Sequence, residues 1–462
     1  MDQEDTIVAL ATPLGQSGIG IVRISGRKSF SIAKRIFRPS NGSSRVNWSS
    51  TFRTHYGWIV DPEEKEVVDE VLLTVMRSPR TYTREDIVEI NCHGGPLPLR
   101  KTLQLGLKLG ARLAKPGEFT RRAFLNGRID LAQAESVLEV IQAKTEEALM
   151  IAANGLRGRF SEEILFLKEQ VVDLVSSLEA EIEFPDEEIP APSRTTRKKQ
   201  LRRILTKLDS LIEMGETAAL YREGIKAVII GRPNVGKSSL LNALLDRERA
   251  IVTCIPGTTR DTIEESINMK GFPLCIVDTA GLGVTGDVVN QEGIKRAHSS
   301  MNQADIVFLM VDGSLALTEE DELVFQKTRG KNRLILVNKI DLPQRIDRKK
   351  MKMLLPNDVI IEISATRGTN LEKLKEVTSD LILKEIIPSS SPSLLINVRQ
   401  KNVLEQAKNG LLRALEGIKE GMPEEVIVVD LKEGLESLGE ITGETTAEDI
   451  LDRIFSNFCI GK

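Results

Sequence analysis

The run Gly231-Arg232-Pro233-Asn234-Val235-Gly236-Lys237-Ser238 fits the pattern G-x-x-x-x-G-K-S and constrains the fold more than any other feature of the chain. It follows the β-branched run Ala227–Ile230 and precedes Leu240-Leu241-Asn242-Ala243-Leu244, so a buried strand must pass through a glycine loop into a helix. Glycines there let backbone N–H groups close round phosphates, with Asn234, Val235, Gly236 and Ser239 in the cradle. Lys237 supplies a point charge for the outer phosphates, and the Ser238 hydroxyl suits magnesium.

Three further elements narrow the nucleotide. Asp278-Thr279-Ala280-Gly281 closes the run Leu274–Asp278, which sends Asp278 toward the magnesium shell and the Gly281 N–H toward a γ-phosphate. Asn338-Lys339-Ile340-Asp341 ends another apolar run; the two Asp341 oxygens can accept both N–H groups of guanine's Watson–Crick edge while the Lys339 stem packs on the base. Adenine has no such paired donor edge. Ser364-Ala365 suits a backbone contact to the guanine carbonyl. Together these elements imply a GTP site. In the switch segment Thr253-Cys254-Ile255-Pro256-Gly257-Thr258-Thr259, Thr259 is the expected γ-phosphate-sensing magnesium ligand. Leu282 stands where a glutamine orients water in Ras-like enzymes, so water must be positioned from elsewhere; a monovalent cation near Asn234 could take the electrostatic part of an arginine finger.

Strand-like runs at Ala227–Ile230, Leu274–Asp278, Ile306–Asp312, Leu334–Asn338 and Val359–Ile363 alternate with helical patterns, the rhythm of a doubly wound, mostly parallel sheet over 221–385. Before it, residues 1–118 read as mixed α and β, with runs at Ile7–Thr12, Ile19–Ile24, Val67–Met76 and Ile87–Asn91. From 119 to 220 the period is helical: Asn126 or Asp130 can cap a helix through Val137, Val140 and Ile141, and Ile164, Leu167, Val171, Leu174 and Leu178 form one apolar stripe. Helical periodicity returns over 386–462, with Thr445 or Thr446 as a cap before Ile450, Leu451 and Ile454. The expected fold is therefore multidomain α/β and α+β, a discontinuous helical domain holding an inserted Ras-like phosphate-loop domain. An acidic connector from Glu179 through Glu188 precedes the basic run Arg194, Arg197, Lys198, Lys199, Arg202, Arg203, which is either a solvated helix face or a contact for an RNA backbone.

Composition sets the remaining limits. In 462 residues, 63 Lys and Arg against 67 Asp and Glu give a net charge of −4, so no global field draws the chain to nucleic acid and any such contact needs a local patch or a partner. Aromatic residues are 4%, too few for a base-stacking platform. The four cysteines include no C-x-x-C pair, which excludes a disulfide scaffold and common zinc modules. With an acidic start and no apolar run of ~18 residues, the expectation is a cytoplasmic protein with no membrane contact.

The start Asp5-Thr6-Ile7-Val8-Ala9-Leu10-Ala11-Thr12-Pro13 and the end Cys459-Ile460-Gly461-Lys462, enclosing this GTPase set, resemble the MnmE (TrmE) family of tRNA uridine-modification GTPases. Ile21-Val22-Arg23-Ile24-Ser25-Gly26, His93-Gly94-Gly95-Pro96, Lys115-Pro116-Gly117-Glu118-Phe119-Thr120 and the block Arg121–Leu131 match as well. The resemblance implies a homodimer formed by an N-terminal domain that binds a tetrahydrofolate derivative, in the 5,10-methylene or 5-formyl form. It also implies a heterotetramer with MnmG (GidA), which brings FAD, and tRNA as the substrate, modified with a carboxymethylaminomethyl group at the wobble uridine. Folate contacts then fall on Arg23, Glu89, Arg128 and Lys462, a potassium shell on Asn234, Thr253, Ile255 and Thr258, and the cysteine needed for modification on Cys459.

Two positions depart from the family. Asn290 stands where its water-orienting glutamate belongs, in Val289-Asn290-Gln291-Glu292-Gly293-Ile294, so Asn290 suffices, Glu292 substitutes, or hydrolysis is slow. Arg84 occupies a position where glycine is common. A ribosome-assembly GTPase of the Era or EngA sort shares the phosphate loop and the leucine but leaves both terminal signatures unexplained. A member that binds GTP and folate only as a scaffold is the third reading, prompted by Asn290.

Overall fold

The computed structural model describes residues 5–40, 46–184, 186, 192–246, 265–269, 271–277, 304–385 and 394–462. The first sheet is built from strands β1 (Ile7–Leu10), β2 (Ser17–Ser25), β3 (Phe37–Pro39), β4 (Arg53–Val60), β5 (Val67–Met76), β6 (Ile87–Gly94) and β7 (Arg112–Leu113), in the order β3-β4-β5-β6-β2-β1-β7. Only the β1–β7 pairing is parallel. Alternation along β5 sends Val71, Leu73 and Val75 inward to Ile32, Leu99 and Leu105 on the helices Ser29–Ile36 and Pro96–Lys108. The outward face keeps Tyr56, Trp58 and Leu72 exposed, with Tyr56 directly opposite Leu72.

Beyond this sheet the chain becomes a helical bundle of Leu131–Gln142, Glu146–Leu156, Arg159–Glu183 and Arg194–Glu223, completed after the second sheet by Val398–Glu420, Glu424–Thr442 and Glu448–Ser456. The stripe Ile164, Leu167, Val171, Leu174 and Leu178 is core, packed with Leu201, Ile204, Leu208, Leu404 and Leu431. Asp130, not Asn126, caps the first of these helices, in a reciprocal box with Gln133. The expected threonine cap of the last helix is corrected: Ala447 is its N-cap, and the Thr445 and Thr446 hydroxyls donate to the Glu436 and Glu440 carbonyls instead. Arg197 is also not part of a solvated face; it is buried and paired with Glu181 and Glu424. Glu187 and Glu188 of the acidic connector lie outside the described residues.

The inserted sheet runs β13-β12-β11-β8-β10-β9, with β8 (Ile225–Ile230), β9 (Glu265–Met269), β10 (Phe272–Val277), β11 (Ile306–Asp312), β12 (Arg333–Asn338) and β13 (Val359–Glu362). All pairings are parallel except the β9–β10 hairpin, which the sequence pattern did not reveal. Every residue of β11 is buried, as expected for a strand covered on both faces. The two units share a core: Ala148, Ile151 and Ala152 of the bundle pack with Ile225, Ile267 and Phe272, and the Tyr221 ring lies 4.3 Å from that of Phe272. Among the described residues no helix is long and apolar enough to cross a membrane.

Candidate functional site

Two clusters of the expected residues form, one within the inserted sheet's loops and one joining the N-terminal strands to the C-terminal tail. The first lies at the C-terminal edge of the inserted sheet, where ligands of open α/β sheets sit. β8 leads through the glycine loop into the helix Lys237–Asp246, with Asn234 and Gly236 at φ values of 64° and 103°. A side chain on Gly236 would meet the Asn338 amide at 2.3 Å, so the glycine is required by contact as well as by backbone angle. Lys237 Nζ donates to the carbonyls of Gly231 and Arg232 at 2.8 and 2.9 Å, and burial lowers its pKa. Ser238 is exposed and Ser239 half-buried in the helix's first turn.

Asn338 joins the loops of this corner. Its Nδ2 donates to the Val235 carbonyl at 2.7 Å, and its Oδ1 accepts from the Ala365 N–H at 3.0 Å. Lys339 adopts a left-handed φ of 66°, and its ammonium pairs with Asp312 Oδ2 at 2.6 Å. Burial pushes the Asp312 carboxyl up, but hydrogen bonds from Lys339 and Ser314 outweigh it and hold the group below the usual range. Asp341 Oδ1 accepts from Ser364 Oγ at 2.6 Å, which lowers its pKa, and Arg367 stands 3.9 Å from Oδ2. A charged, oriented carboxylate is thus ready for a paired donor edge. Thr253, Cys254, Ile255, Pro256, Gly257, Thr258, Thr259, Asp278, Thr279, Ala280, Gly281, Leu282, Asn290 and Glu292 lie outside the described residues.

The second cluster joins β2, β6 and the C-terminal tail. Arg23 Nε donates to Glu89 Oε1 at 2.7 Å, and Arg23 Nη1 donates to the Gly461 carbonyl at 3.0 Å across 438 residues of sequence. The Lys462 carbonyl accepts from the Phe119 N–H at 3.2 Å, and the Phe119 ring lies 5.5 Å from the Arg23 guanidinium carbon. Gly461 has a φ of 98°, and a Cβ there would lie 2.1 Å from the Leu10 carbonyl oxygen. Arg128 stacks over Tyr82 at 4.7 Å, whose hydroxyl bonds Thr120 at 2.9 Å. Cys459 is a free, exposed thiol two residues before Gly461. Arg84 has a left-handed φ of 59°, the conformation glycine adopts without strain, and it donates to the Asn126 carbonyl at 2.8 Å.

The helix Glu118–Leu125 that receives the tail is held by a charge network. Arg112 and Arg122 pair with Glu118 at 2.6 and 3.0 Å and with Asp5 at 2.7 and 2.5 Å. Burial raises the Glu118 pKa, but the Arg112, Lys115 and Arg122 hydrogen bonds more than offset it and keep the group ionised. Sequence reasoning missed Asp312, Phe119 and Tyr82. Asp312 had a signal, a carboxylate ending the strand next to Asn338; the two aromatics had none without the tail's position. Cys92 is buried, with its thiol pushed up to about 11 by burial, and His93 pairs with Asp69 at 2.6 Å. Among the described residues no cluster of His, Cys, Asp or Glu could hold a metal ion.

Sequence families match this chain in two blocks. The GTP-binding protein TrmE N-terminus matches residues 6–128, and the MnmE helical domain matches residues 131–459. A tRNA modification GTPase MnmE of Desulforamulus reducens is 45% identical over 460 residues, covering 99% of this chain and 100% of that one. One of Thermoanaerobacter pseudethanolicus is 46% identical over 458 residues, covering 99% of each chain. One of Alkaliphilus oremlandii is 42% identical over 459 residues, again covering 99% of each.

Proposed function

The chain belongs to the MnmE (TrmE) family of tRNA modification GTPases, and from that premise we propose that it is a potassium-dependent GTPase acting with MnmG on the wobble uridine of certain tRNAs. In this reading it adds a carboxymethylaminomethyl group at C5 using a tetrahydrofolate one-carbon unit, in the cytoplasm, as a homodimer. The exposed Tyr56, Trp58 and Leu72 face of the first sheet is an apolar surface suited to that dimer.

The residues divide the work by location. Asp341 selects guanine, Asn338 fixes the phosphate loop against the base-binding loop, and Lys237 neutralises phosphate charge. The hydroxyls of Ser238 and Thr259 are hard donors of the kind magnesium takes, and Asn234 with Thr253, Ile255 and Thr258 would hold potassium. Magnesium and potassium would supply positive charge where phosphate charge develops. With Leu282 unable to hydrogen-bond water, the Asn290 amide orients it, assisted by Glu292, and hydrolysis is slow because an amide is no base. Hydrolysis then opens and closes the GTPase domains.

At the other corner, Arg23, Glu89, Arg128 and Lys462 offer cationic donors and one carboxylate, the complement of a pterin edge and a glutamate tail. Tetrahydrofolate would supply the one-carbon unit there, and the Cys459 thiol stands exposed in the same tail. The observation that carries the reading is the Gly461 carbonyl on Arg23, which ties the cysteine-bearing tail to this cluster.

The test is the wobble-uridine nucleoside profile, by liquid chromatography and mass spectrometry, in a bacterial strain lacking its own MnmE and supplied with this gene. The intact gene should restore modification and Cys459→Ser should not. No restoration by a folded protein bound to the strain's MnmG would favour the scaffold reading.

A further inference from the structure

The helix Arg194–Glu223 begins with a charge pattern that its own stability does not explain. Residues 194–208 contain no acidic side chain, and Arg194, Lys199, Arg202 and Arg203 are exposed, with Lys198 half-buried beside them. Arg194 and Lys198, Lys198 and Arg202, and Lys199 and Arg203 are like-charge pairs four residues apart, each destabilising. Arg194 also sits in the first turn of the helix, where the backbone dipole is positive and cations are disfavoured.

Two neighbouring helices of the bundle treat their cations differently. In the two helices Val398–Glu420 and Glu424–Thr442, every Lys and Arg has a carboxylate partner: Arg399 with Glu135, Lys401 with Glu216, Lys408 with Asp209, Arg413 with Asp430, Lys419 with Glu416 and Lys432 with Glu179. On the basic helix itself Arg197 and Lys207 are paired in the same way. Arg194, Lys198, Lys199, Arg202 and Arg203 have no ion-pair partner among the described residues. At 1.5 Å per residue the stripe is about 14 Å long, and Thr195 and Thr206 interleave it with exposed hydroxyls.

We propose that this stripe is a docking surface for the phosphate backbone of a structured RNA, with Lys198, Lys199, Arg202 and Arg203 as its principal contacts. Closely spaced cations with no carboxylate partner among the described residues are relieved of their mutual repulsion when phosphates stand between them, and the gain includes counterion release. The chain's net charge of −4 gives no global attraction, so a local stripe is where such binding must originate. Such contacts position an RNA without reading its bases. The inference rests on the tRNA reading above and adds where the substrate's backbone lies.

The test uses the full chain with Lys198, Lys199, Arg202 and Arg203 all changed to Gln, and a second variant in which the lysines become Arg and the arginines Lys. Unmodified tRNA binding is measured by fluorescence anisotropy across a potassium chloride series, with GTP hydrolysis and melting temperature as controls. The glutamine variant should bind at least tenfold more weakly at 0.1 M salt. Its log–log salt slope should be shallower by about 3, while the charge-keeping variant, GTP hydrolysis and melting stay as in the wild type. Wild-type binding that the glutamine variant matches in affinity and slope overturns the surface alone. A wild type that binds no tRNA at any salt overturns both the surface and the tRNA reading. Unchanged tRNA binding with lost binding to MnmG would overturn it in favour of an acidic protein face.

Discussion

The two candidate corners are held together in opposite ways. At the nucleotide corner each described group is a short contiguous motif set at the end of a parallel strand, and these motifs meet because the sheet brings strand ends together. At the tail corner the defining contact, Arg23 to Gly461, spans 438 residues, and nothing local in either segment specifies it. The first corner is specified by local motifs; the second depends on where a four-residue tail is seated. Damage at one corner should therefore leave the other working.

The largest separation is expected from Asn338→Ala. It leaves the buried Val235 carbonyl and Ala365 N–H without their partner, at about 1–3 kcal/mol for each unsatisfied group. GTP affinity, measured by calorimetric titration, should fall at least about 100-fold, while a folate derivative binds as tightly as before. Loss of folate binding as well would break the division between the corners.

The converse variant is Gly461→Val. Its side chain would lie within the Leu10 carbonyl contact of 2.1 Å and would need the left-handed φ of 98°, so the tail must leave its seat. Wobble-uridine modification should drop below about a tenth of the wild-type level with GTP turnover within about twofold. A variant that modifies normally would show that the tail need not be docked.

Within the nucleotide corner, Asn290→Glu supplies the carboxylate that the family pattern carries. GTP turnover with potassium should rise about tenfold, less than the ~100-fold or more of a positioned general base because the Asn290 amide already orients water. An unchanged or lower rate would mean that water is oriented by another group.

These contrasts also explain what could be read from the chain before its fold was known. The phosphate loop, Asn338–Asp341 and Ser364-Ala365 were legible because phosphate and guanine chemistry dictates residue type at fixed local spacing, and β11 was legible because burial on both faces gives a continuous apolar run. Strand β4 escaped because its outward face carries Tyr56 and Trp58, so the alternation of a half-buried strand is blurred. The caps at Thr445 and Thr446 were misread because a hydroxyl near a helix start can equally donate to a neighbouring helix's carbonyl, as both do. Arg23, Glu89 and Arg128 could be singled out only through family resemblance, since their partners are set by tertiary contacts that no spacing rule carries.

The smallest effect concerns the joint between the corners. Glu139, on the helix Leu131–Gln142, is buried with Oε2 unpartnered, and it faces Arg222, which lies just before Gly224 and β8. Burial first, and the nearby Glu135 charge second, push its carboxyl up to about 8 from an ordinary 4.5, against the Arg222 charge and a Ser136 hydrogen bond. The folded state therefore favours the protonated form. Its stabilising contribution is complete below about pH 4.5 and is lost as pH rises toward about 8. Glu139→Gln stays neutral throughout, so its melting temperature should match the wild type at pH 5 and exceed it by about 3 °C at pH 8.5. If the corners are independent, GTP affinity and wobble-uridine modification at pH 8.5 should not follow that difference. A GTP affinity that rises with the melting temperature in Glu139→Gln would show instead that the bundle, through Arg222 and β8, sets the poise of the phosphate loop.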